Sequence, residues 1–240
     1  MKNKNNYDIV VTGGEGRFAS ILKKEKVRHN IAYPNKRELD ILSIESIKKF
    51  LKKTNPKYLI HLAGLSRPMD IHNKDISKSI NLNIIGTSNI VKVCSDLKIK
   101  LIFFSTNFVY SGQKGNYKES DSVLPFNNYG WSKLGAECAV QMYNNSLILR
   151  VCMTEYPFIH KKAFYDVKNN FLFHKDVSRI IFKILDKKGV INIGGKTLRI
   201  YEFAKKNNPS VKKLYAKKIL GKKYPLNQDM NISKLKKILK

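Results

Sequence analysis

The feature that most constrains the fold is a regular alternation of short strand-like runs and helical segments through the first 151 residues. After the N-cap candidate Ser43, for example, Ile44, Ile47 and Leu51 recur at the three- and four-residue spacing of a helix. Such alternation predicts a doubly wound α/β fold, in which helices cover both faces of a parallel sheet and ligands bind at the carboxyl ends of its strands. The predicted strands are 7–12, 28–32, 57–62, 100–105 and 146–151.

A glycine-rich turn, TGGEGRFA at 12–19, ends the first predicted strand and opens the first helix. Gly13 allows a tight turn, Gly16 lets the backbone approach a pyrophosphate at the helix N-terminus, and Ala19 permits close packing of helix on strand. Three glycines within four residues also occur in ordinary loops. The position between a strand and a helix near the start of the chain is what favours a dinucleotide site.

The end of the second predicted strand indicates which dinucleotide binds. An acidic residue there would contact the adenosine ribose and favour NAD, but the segment 33–37 offers the cations Lys36 and Arg37 instead. Arg17 is expected to join them around a 2′-phosphate, so NADP is preferred over NAD. The alternative is that Lys36 and Arg37 merely lie on the surface of a very basic protein.

After Thr154 the regular order loosens into a helix at 174–186, a strand at 190–193 and helices at 200–206 and 231–239. We therefore predict an NAD(P)-binding domain at 1–153 and a small substrate-binding lobe at 154–240, partly interleaved with the first domain.

A tyrosine and a lysine four residues apart on a helix share one face, and a neighbouring ammonium favours ionisation of the phenol. In a lysine-rich chain such pairs also arise by chance, and three occur: Tyr110/Lys114, Tyr129/Lys133 and Tyr201/Lys205. Only Tyr129 begins a helix within the α/β part. It follows a strand that ends in Ser105 and Thr106, whose hydroxyls suit a hydrogen bond to a substrate oxygen.

Together these segments resemble the extended short-chain dehydrogenase/reductase superfamily, which has a Rossmann fold. The resemblance covers most of the chain and lies in six motifs: TGGEGRFA at 12–19, RELD at 37–40, HLAG at 61–64, NIIGT at 83–87, STNFVY at 105–110 and YGWSK at 129–133. Within the superfamily the chain is most similar to the dTDP-4-dehydrorhamnose reductase-like branch.

The resemblance implies an oxidoreductase that transfers hydride from NAD(P)H to the C4 ketone of a nucleotide-activated 4-keto-6-deoxy sugar. Tyr129 would donate the proton, Thr106 would polarise the carbonyl, and Lys133 would orient the nicotinamide ribose. The expected cofactor contacts are Gly13, Gly16, Arg17, Phe18, Lys36, Arg37, Asp40, Ala63, Gly64, Asn83, Ser105 and Lys133. The expected substrate contacts are Ser66, Arg67 and Asn107.

Two alternatives stay open at this stage. The same three catalytic residues serve nucleotide-sugar 4-epimerases, and some relatives keep the nucleotide-binding fold as non-catalytic regulatory subunits. Dehydration is disfavoured, because Asn107 and Phe108 stand where dehydratases of the superfamily carry acidic residues.

The formal net charge of +28 is the remaining peculiarity of the chain. The basic residues are mostly lysines spread along the whole sequence, without clustered arginines or evident stacking aromatics, so no specific nucleic-acid partner is expected. The histidines and cysteines lack metal-ligand spacing, and no metal site is predicted. The first strand follows the start so closely that no signal peptide is expected, which leads us to expect a cytoplasmic protein without membrane insertion. A homodimer is a candidate assembly, although the sequence says little about oligomeric state.

Overall fold

The computed structural model describes residues 7–240, so the start of the chain, to which the signal-peptide expectation applies, lies outside the described residues. The strands are β1 (Ile9–Thr12), β2 (Ile31–Ala32), β3 (Tyr58–His61), β4 (Lys100–Thr106), β5 (Ser146–Val151), β6 (Met153–Thr154), β7 (Lys162–Phe164), β8 (Lys168–Asn169), β9 (Leu172–Phe173), β10 (Gly189–Ile193), β11 (Leu198–Arg199) and β12 (Lys212–Leu214). Six of them form one sheet in the order β10-β5-β4-β3-β1-β2, and every neighbouring pair in it is parallel.

The helices connect these strands. They are α1 (Arg17–Leu22), α2 (Ile44–Thr54), α3 (Ile71–Lys74), α4 (Ile76–Ser79), α5 (Gly86–Asp96), α6 (Asn128–Gln141), α7 (His174–Ile181), α8 (Ile200–Asn207), α9 (Ala216–Ile219) and α10 (Ser233–Leu239), with a π-helical segment at Ile80–Ile85 and a 3-10 turn at Asn107–Val109. Within residues 7–240, none of these helices has the length and apolar character needed to cross a bilayer.

Alternate residues of the strands divide the core into two layers. In β1, Ile9 and Val11 belong to the layer that α1, α7 and α10 cover, whereas Val10 belongs to the layer that α2, α5 and α6 cover. Both faces are therefore buried, which explains why the strands read as continuous apolar runs rather than as alternating ones. The predicted doubly wound parallel sheet is confirmed.

Several predicted boundaries are wrong. The second strand is confined to Ile31–Ala32, and the predicted helix at 174–186 ends at Ile181. The helix that runs through α4 to α5 begins after Asp75, whose backbone leaves the helical region (φ −136, ψ 80) while its carboxylate accepts from the N–H of Lys78. The helix then widens into the π-helical segment before α5.

The C-terminal part of the chain contributes both to the main sheet with its core and to a smaller lobe. Strand β10 pairs with β5 at the edge of the main sheet, and α7 and α10 pack on the core layer that contains α1. The smaller lobe is built from three two-stranded pairs, β6 with β9, β7 with β12 and β8 with β11. The division at residue 153/154 stays a prediction.

A buried ion pair joins α6 to the sheet. Glu137 on α6 accepts three hydrogen bonds from Arg150 on β5, at 2.8 to 3.2 Å, and the two side chains are 1% and 4% exposed. Arg150 also donates to the Tyr110 hydroxyl at 2.8 Å, and that hydroxyl donates to Asn192 on β10 at 2.9 Å. Removing one member of such a pair leaves an uncompensated buried charge.

We expect Glu137→Ala to lower the free energy of unfolding by about 3–5 kcal/mol, because Arg150 would stay buried without its counterion. Urea denaturation measures the loss. The matched control is Asp96→Ala, since the pair that Asp96 forms with Lys48 is largely exposed and its loss should change stability by less than about 1 kcal/mol. Equal effects of the two substitutions would contradict the assigned role.

Candidate active site

A cleft of about 1290 Å³ lies at the carboxyl ends of the central strands. It extends from the glycine turn after β1, past the loop after β3 and the end of β4, to the C-terminal lobe. Of the residues predicted for the site, it is lined by Gly13, Gly16, Arg17, Phe18, Gly64, Ser66, Arg67, Asn83, Ser105, Thr106, Asn107, Tyr129 and Lys133. The fold therefore brings together residues that are up to 120 positions apart.

The glycine turn passes unusually close to neighbouring backbone. Gly13 has φ +70, and a Cβ built there would lie 2.9 Å from the Ala63 backbone nitrogen. A Cβ on Gly14 would lie 2.6 Å from the Tyr33 carbonyl oxygen. Only glycine, which has no Cβ, fits at both positions. The main chain of the turn therefore faces the cleft without covering side chains, as contact with a pyrophosphate requires.

A second depression, of about 550 Å³, holds the residues predicted to contact the adenosine end of a cofactor. It is lined by Lys36, Arg37 and Asp40, together with Glu15 and Asn35. The position of this depression beside the turn suits the adenosine of a dinucleotide whose other end lies in the large cleft.

Arg17 lies elsewhere than predicted. It was expected beside Lys36 and Arg37, but it lines the large cleft and donates to Glu155 at 3.1 Å. Arg17 is not among the residues that line the adenosine depression.

Glu155 is a site residue that the sequence analysis missed. Its carboxylate also accepts from Arg67 at 2.8 Å, so it bridges the glycine turn and the loop after β3. Burial alone would raise the pKa of Glu155, but its backbone hydrogen bond and the charges of Arg67, His174 and Arg17 lower it below the usual value. The signal was present, because Glu155 is the single acidic residue between Glu137 and Asp166 and follows the fifth strand.

The Tyr129 ring is held on several sides. It packs against His72, with ring centroids 5.1 Å apart, and edge-on against Phe108 at 6.1 Å. Burial raises the pKa of Tyr129 to about 12, although the Thr106 hydroxyl and the charge of Arg67 act in the opposite direction. The cation that favours the ionised phenol is thus Arg67 rather than the expected Lys133.

Lys133 is buried one helical turn after Tyr129, with its ammonium 4.2 Å from the centre of the Phe103 ring. Burial lowers the pKa of Lys133 to about 7, and the charge of Glu137 partly offsets that effect. Burial, together with the Lys133 charge, lowers the pKa of His61 to about 3. His61 is therefore neutral between its Thr12 and Thr87 hydroxyl partners, at 2.7 and 3.0 Å.

Three other side chains that are predicted to contact the cofactor or the substrate form hydrogen bonds within the protein. Ser105 donates to Glu137. Asn83 bonds both backbone groups of Leu65, at 2.6 and 2.9 Å, and donates to Ser132 at 2.8 Å. Asn107 donates to Asn169 and to the Gln228 carbonyl, both at 3.2 Å, which ties the end of β4 to the C-terminal lobe. These side chains position the cleft walls.

Comparison with solved structures agrees with this architecture. The structure of dTDP-4-dehydrorhamnose reductase from Bacillus anthracis in complex with NADP is similar with a TM-score of 0.84, over 96% of this chain and 92% of that chain. The sequence identity is 20%, so this likeness establishes the shared fold.

The curated relatives include proteins of two kinds. One is methionine adenosyltransferase 2 subunit beta of Pongo abelii, 27% identical over 156 residues, which are 61% of this chain and 46% of that protein. Another is dTDP-4-dehydrorhamnose reductase of Aggregatibacter actinomycetemcomitans, 27% identical over 196 residues, which are 79% of this chain and 62% of that protein. The chain thus spans about half the length of the subunit beta relatives it matches.

The family model described as RmlD substrate binding domain matches residues 7–163. The match begins with β1, contains the glycine turn, Thr106, Tyr129 and Lys133, and ends within β7. It confirms the resemblance that the six sequence motifs predicted. Because the match covers more than half of the chain, the protein belongs to the RmlD substrate binding domain family.

Proposed function

We propose that the protein is an NAD(P)H-dependent reductase of a nucleotide-activated 4-keto-6-deoxy sugar. The observation that carries the proposal is that one cleft holds the Thr106 hydroxyl, the Tyr129 phenol, the buried Lys133 and the glycine turn. A hydroxyl donor at a strand end and a phenol on a helix can both reach one carbonyl oxygen. The similarity to dTDP-4-dehydrorhamnose reductases supports this choice of substrate.

The residues present fit a dinucleotide. Gly13 and Gly14 would let its pyrophosphate approach the main chain, and Lys36, Arg37 and Asp40 surround a depression of suitable position for its adenosine. The two cations favour NADP over NAD, because a 2′-phosphate would pair with them. When bound, the reduced nicotinamide supplies the hydride.

The chain's own groups would manage the proton. A Tyr129 pKa of about 12 keeps the phenol protonated at neutral pH, as a proton donor to a developing alkoxide must be. Thr106 orients that phenol and polarises the substrate oxygen. Lys133, held by burial beside Phe103, would bond the nicotinamide ribose.

Charged side chains of opposite sign meet at the substrate end of the cleft. Arg17 and Arg67 converge on Glu155, and the phosphates of a nucleotide sugar would compete with that carboxylate for both guanidinium groups. Ser66 and Asn107 line the same region.

We propose that the enzyme works in the cytoplasm, in keeping with the free thiols of Cys94 and Cys152. We also propose that it is a homodimer, in keeping with the exposed side chains of Trp131 on α6 and of Met142 directly after α6.

A regulatory, nucleotide-binding subunit is the second candidate. The similarity to methionine adenosyltransferase 2 subunit beta favours it, and the dinucleotide-binding features would serve it equally well. A nucleotide-sugar 4-epimerase is the third, and it would be recognised by NAD that stays bound through purification.

We expect the purified protein to oxidise NADPH in the presence of a 4-keto-6-deoxy nucleotide sugar, followed by absorbance of the reduced nicotinamide. Tyr129→Phe should lower kcat by about 10²–10⁴-fold, because the proton donor is lost. Tyr201→Phe is the matched control, since Tyr201 lies in the other lobe outside the cleft. Intact NADPH binding without turnover of any substrate tested would favour the regulatory subunit instead.

We expect Lys36→Ala combined with Arg37→Ala to raise the KM for NADPH by roughly 10- to 100-fold while leaving that for NADH nearly unchanged. The reason is the loss of the charged contacts to the 2′-phosphate, together worth about 1.5–3 kcal/mol because both side chains are exposed. Lys49→Ala combined with Lys52→Ala removes the same charge from α2 and serves as the control. An equal rise for both cofactors would argue against recognition of the 2′-phosphate.

We expect Lys133→Met to stabilise the protein near pH 7 and to lose this advantage as the pH rises. The folded-state pKa of about 7 lies below the ordinary value of 10.5, so folding releases a proton between these values and stability of the wild type increases with pH there. Below pH 7 the penalty is complete, on the order of a few kcal/mol. Urea denaturation at pH 7 and pH 9.5 tests this, and a pH-independent difference between the two proteins would refute it.

A further inference from the structure

Two neighbouring segments of the C-terminal lobe, 156–162 and 212–223, form one surface that we call the lobe rim. Strand β7 pairs with β12, and the Lys212 N–H donates to the Lys161 carbonyl at 3.0 Å. The rim is therefore continuous in space, although 49 residues separate its two segments along the chain.

The rim exposes large apolar side chains. Tyr156 is 72% exposed, Ile159 54%, Ile219 56% and Leu220 49%, and Tyr215 is exposed beside them. Single exposed apolar residues are ordinary on protein surfaces, but a group of this size on one small lobe marks an interaction site.

The rim is also strongly positive. Between Glu202 and Asp229 the chain carries no acidic residue. One acidic side chain contacts the rim, because the Asp166 carboxylate accepts from the backbone N–H groups of Ala216 and Lys217. The exposed lysines are Lys161, Lys162, Lys212, Lys213, Lys217, Lys218, Lys222 and Lys223. Lys218 lies over the Tyr215 ring, with its ammonium 5.4 Å from the ring centre.

The rim borders the mouth of the active-site cleft. Leu220 belongs to both, and His160 and Tyr224, which line the cleft, lie within or directly beside the two segments. A partner on the rim would therefore lie next to the entrance for the substrate.

We propose that the lobe rim adsorbs to the surface of an anionic lipid bilayer, with its lysines at the phosphate groups and its aliphatic side chains among the upper acyl carbons. Lysines around exposed Ile, Leu and Tyr are the combination that interfacial binding uses. Ile159, Ile219 and Leu220 offer nothing to phosphates or base edges, so a nucleic acid accounts for the lysines alone. Adsorption would hold the cleft entrance at the membrane surface.

The test is sedimentation of the full chain with vesicles of phosphatidylcholine containing about one third phosphatidylserine, and with vesicles of phosphatidylcholine alone. We expect binding to the anionic vesicles only. Lys217→Glu, Lys218→Glu and Lys222→Glu together should weaken it by about 100-fold or more. The matched control reverses Lys49, Lys52 and Lys53 on α2, which removes the same net charge from another exposed surface and should leave most of the binding.

Ile219→Ser is the second variant, because it leaves the charge unchanged and should weaken vesicle binding several-fold at physiological salt. NADPH binding by every variant confirms folding, and the readout requires no turnover, so it stands apart from the proposed reductase activity. Equal losses in the two triple variants would show a general charge effect and overturn the proposal. So would an unaffected Ile219→Ser variant, or single-stranded DNA binding that depends on the rim while vesicles are ignored.

Discussion

The buried carboxylate of Glu137 is the group on which the active-site cleft depends. It neutralises Arg150 on β5, accepts a hydrogen bond from Ser105 on β4, and partly offsets the cost of burying the Lys133 ammonium. One side chain on α6 thus fixes the distance between that helix and two strand ends. Tyr129 and Lys133 lie on the same helix, so their position relative to Thr106 follows from a pair of charges that no solvent reaches.

The features that sequence predicts are those that local patterns carry. The order of strands and helices, the close turn at Gly13 and the grouping of Lys36 with Arg37 each depend on a few consecutive residues. Residues that the sequence analysis missed or misplaced have distant partners. Glu155 is 138 positions from Arg17 and 88 from Arg67, and no periodicity connects such positions.

Different residues of the cleft would bind a dinucleotide and take part in the reaction with it. Backbone at the glycine turn and side chains at the end of β2 would hold the cofactor without help from Thr106 or Tyr129. A family with this division can lose its chemistry and keep its ligand. Reductases and an adenosyltransferase subunit both stand among the proteins this chain resembles.

The π-helical segment at Ile80–Ile85 has a consequence for how the chain tolerates insertions and deletions. A π turn accommodates one residue more than an α turn, and each residue of an α-helix turns the next by about 100°. Deleting one residue here would restore regular pitch and turn the helix on one side of the deletion by about 100° relative to the other side. Asn83 would then keep its bonds to Leu65 and Ser132 only if another part of the helix turned away from its own contacts. The length of this helix is therefore constrained to the single residue.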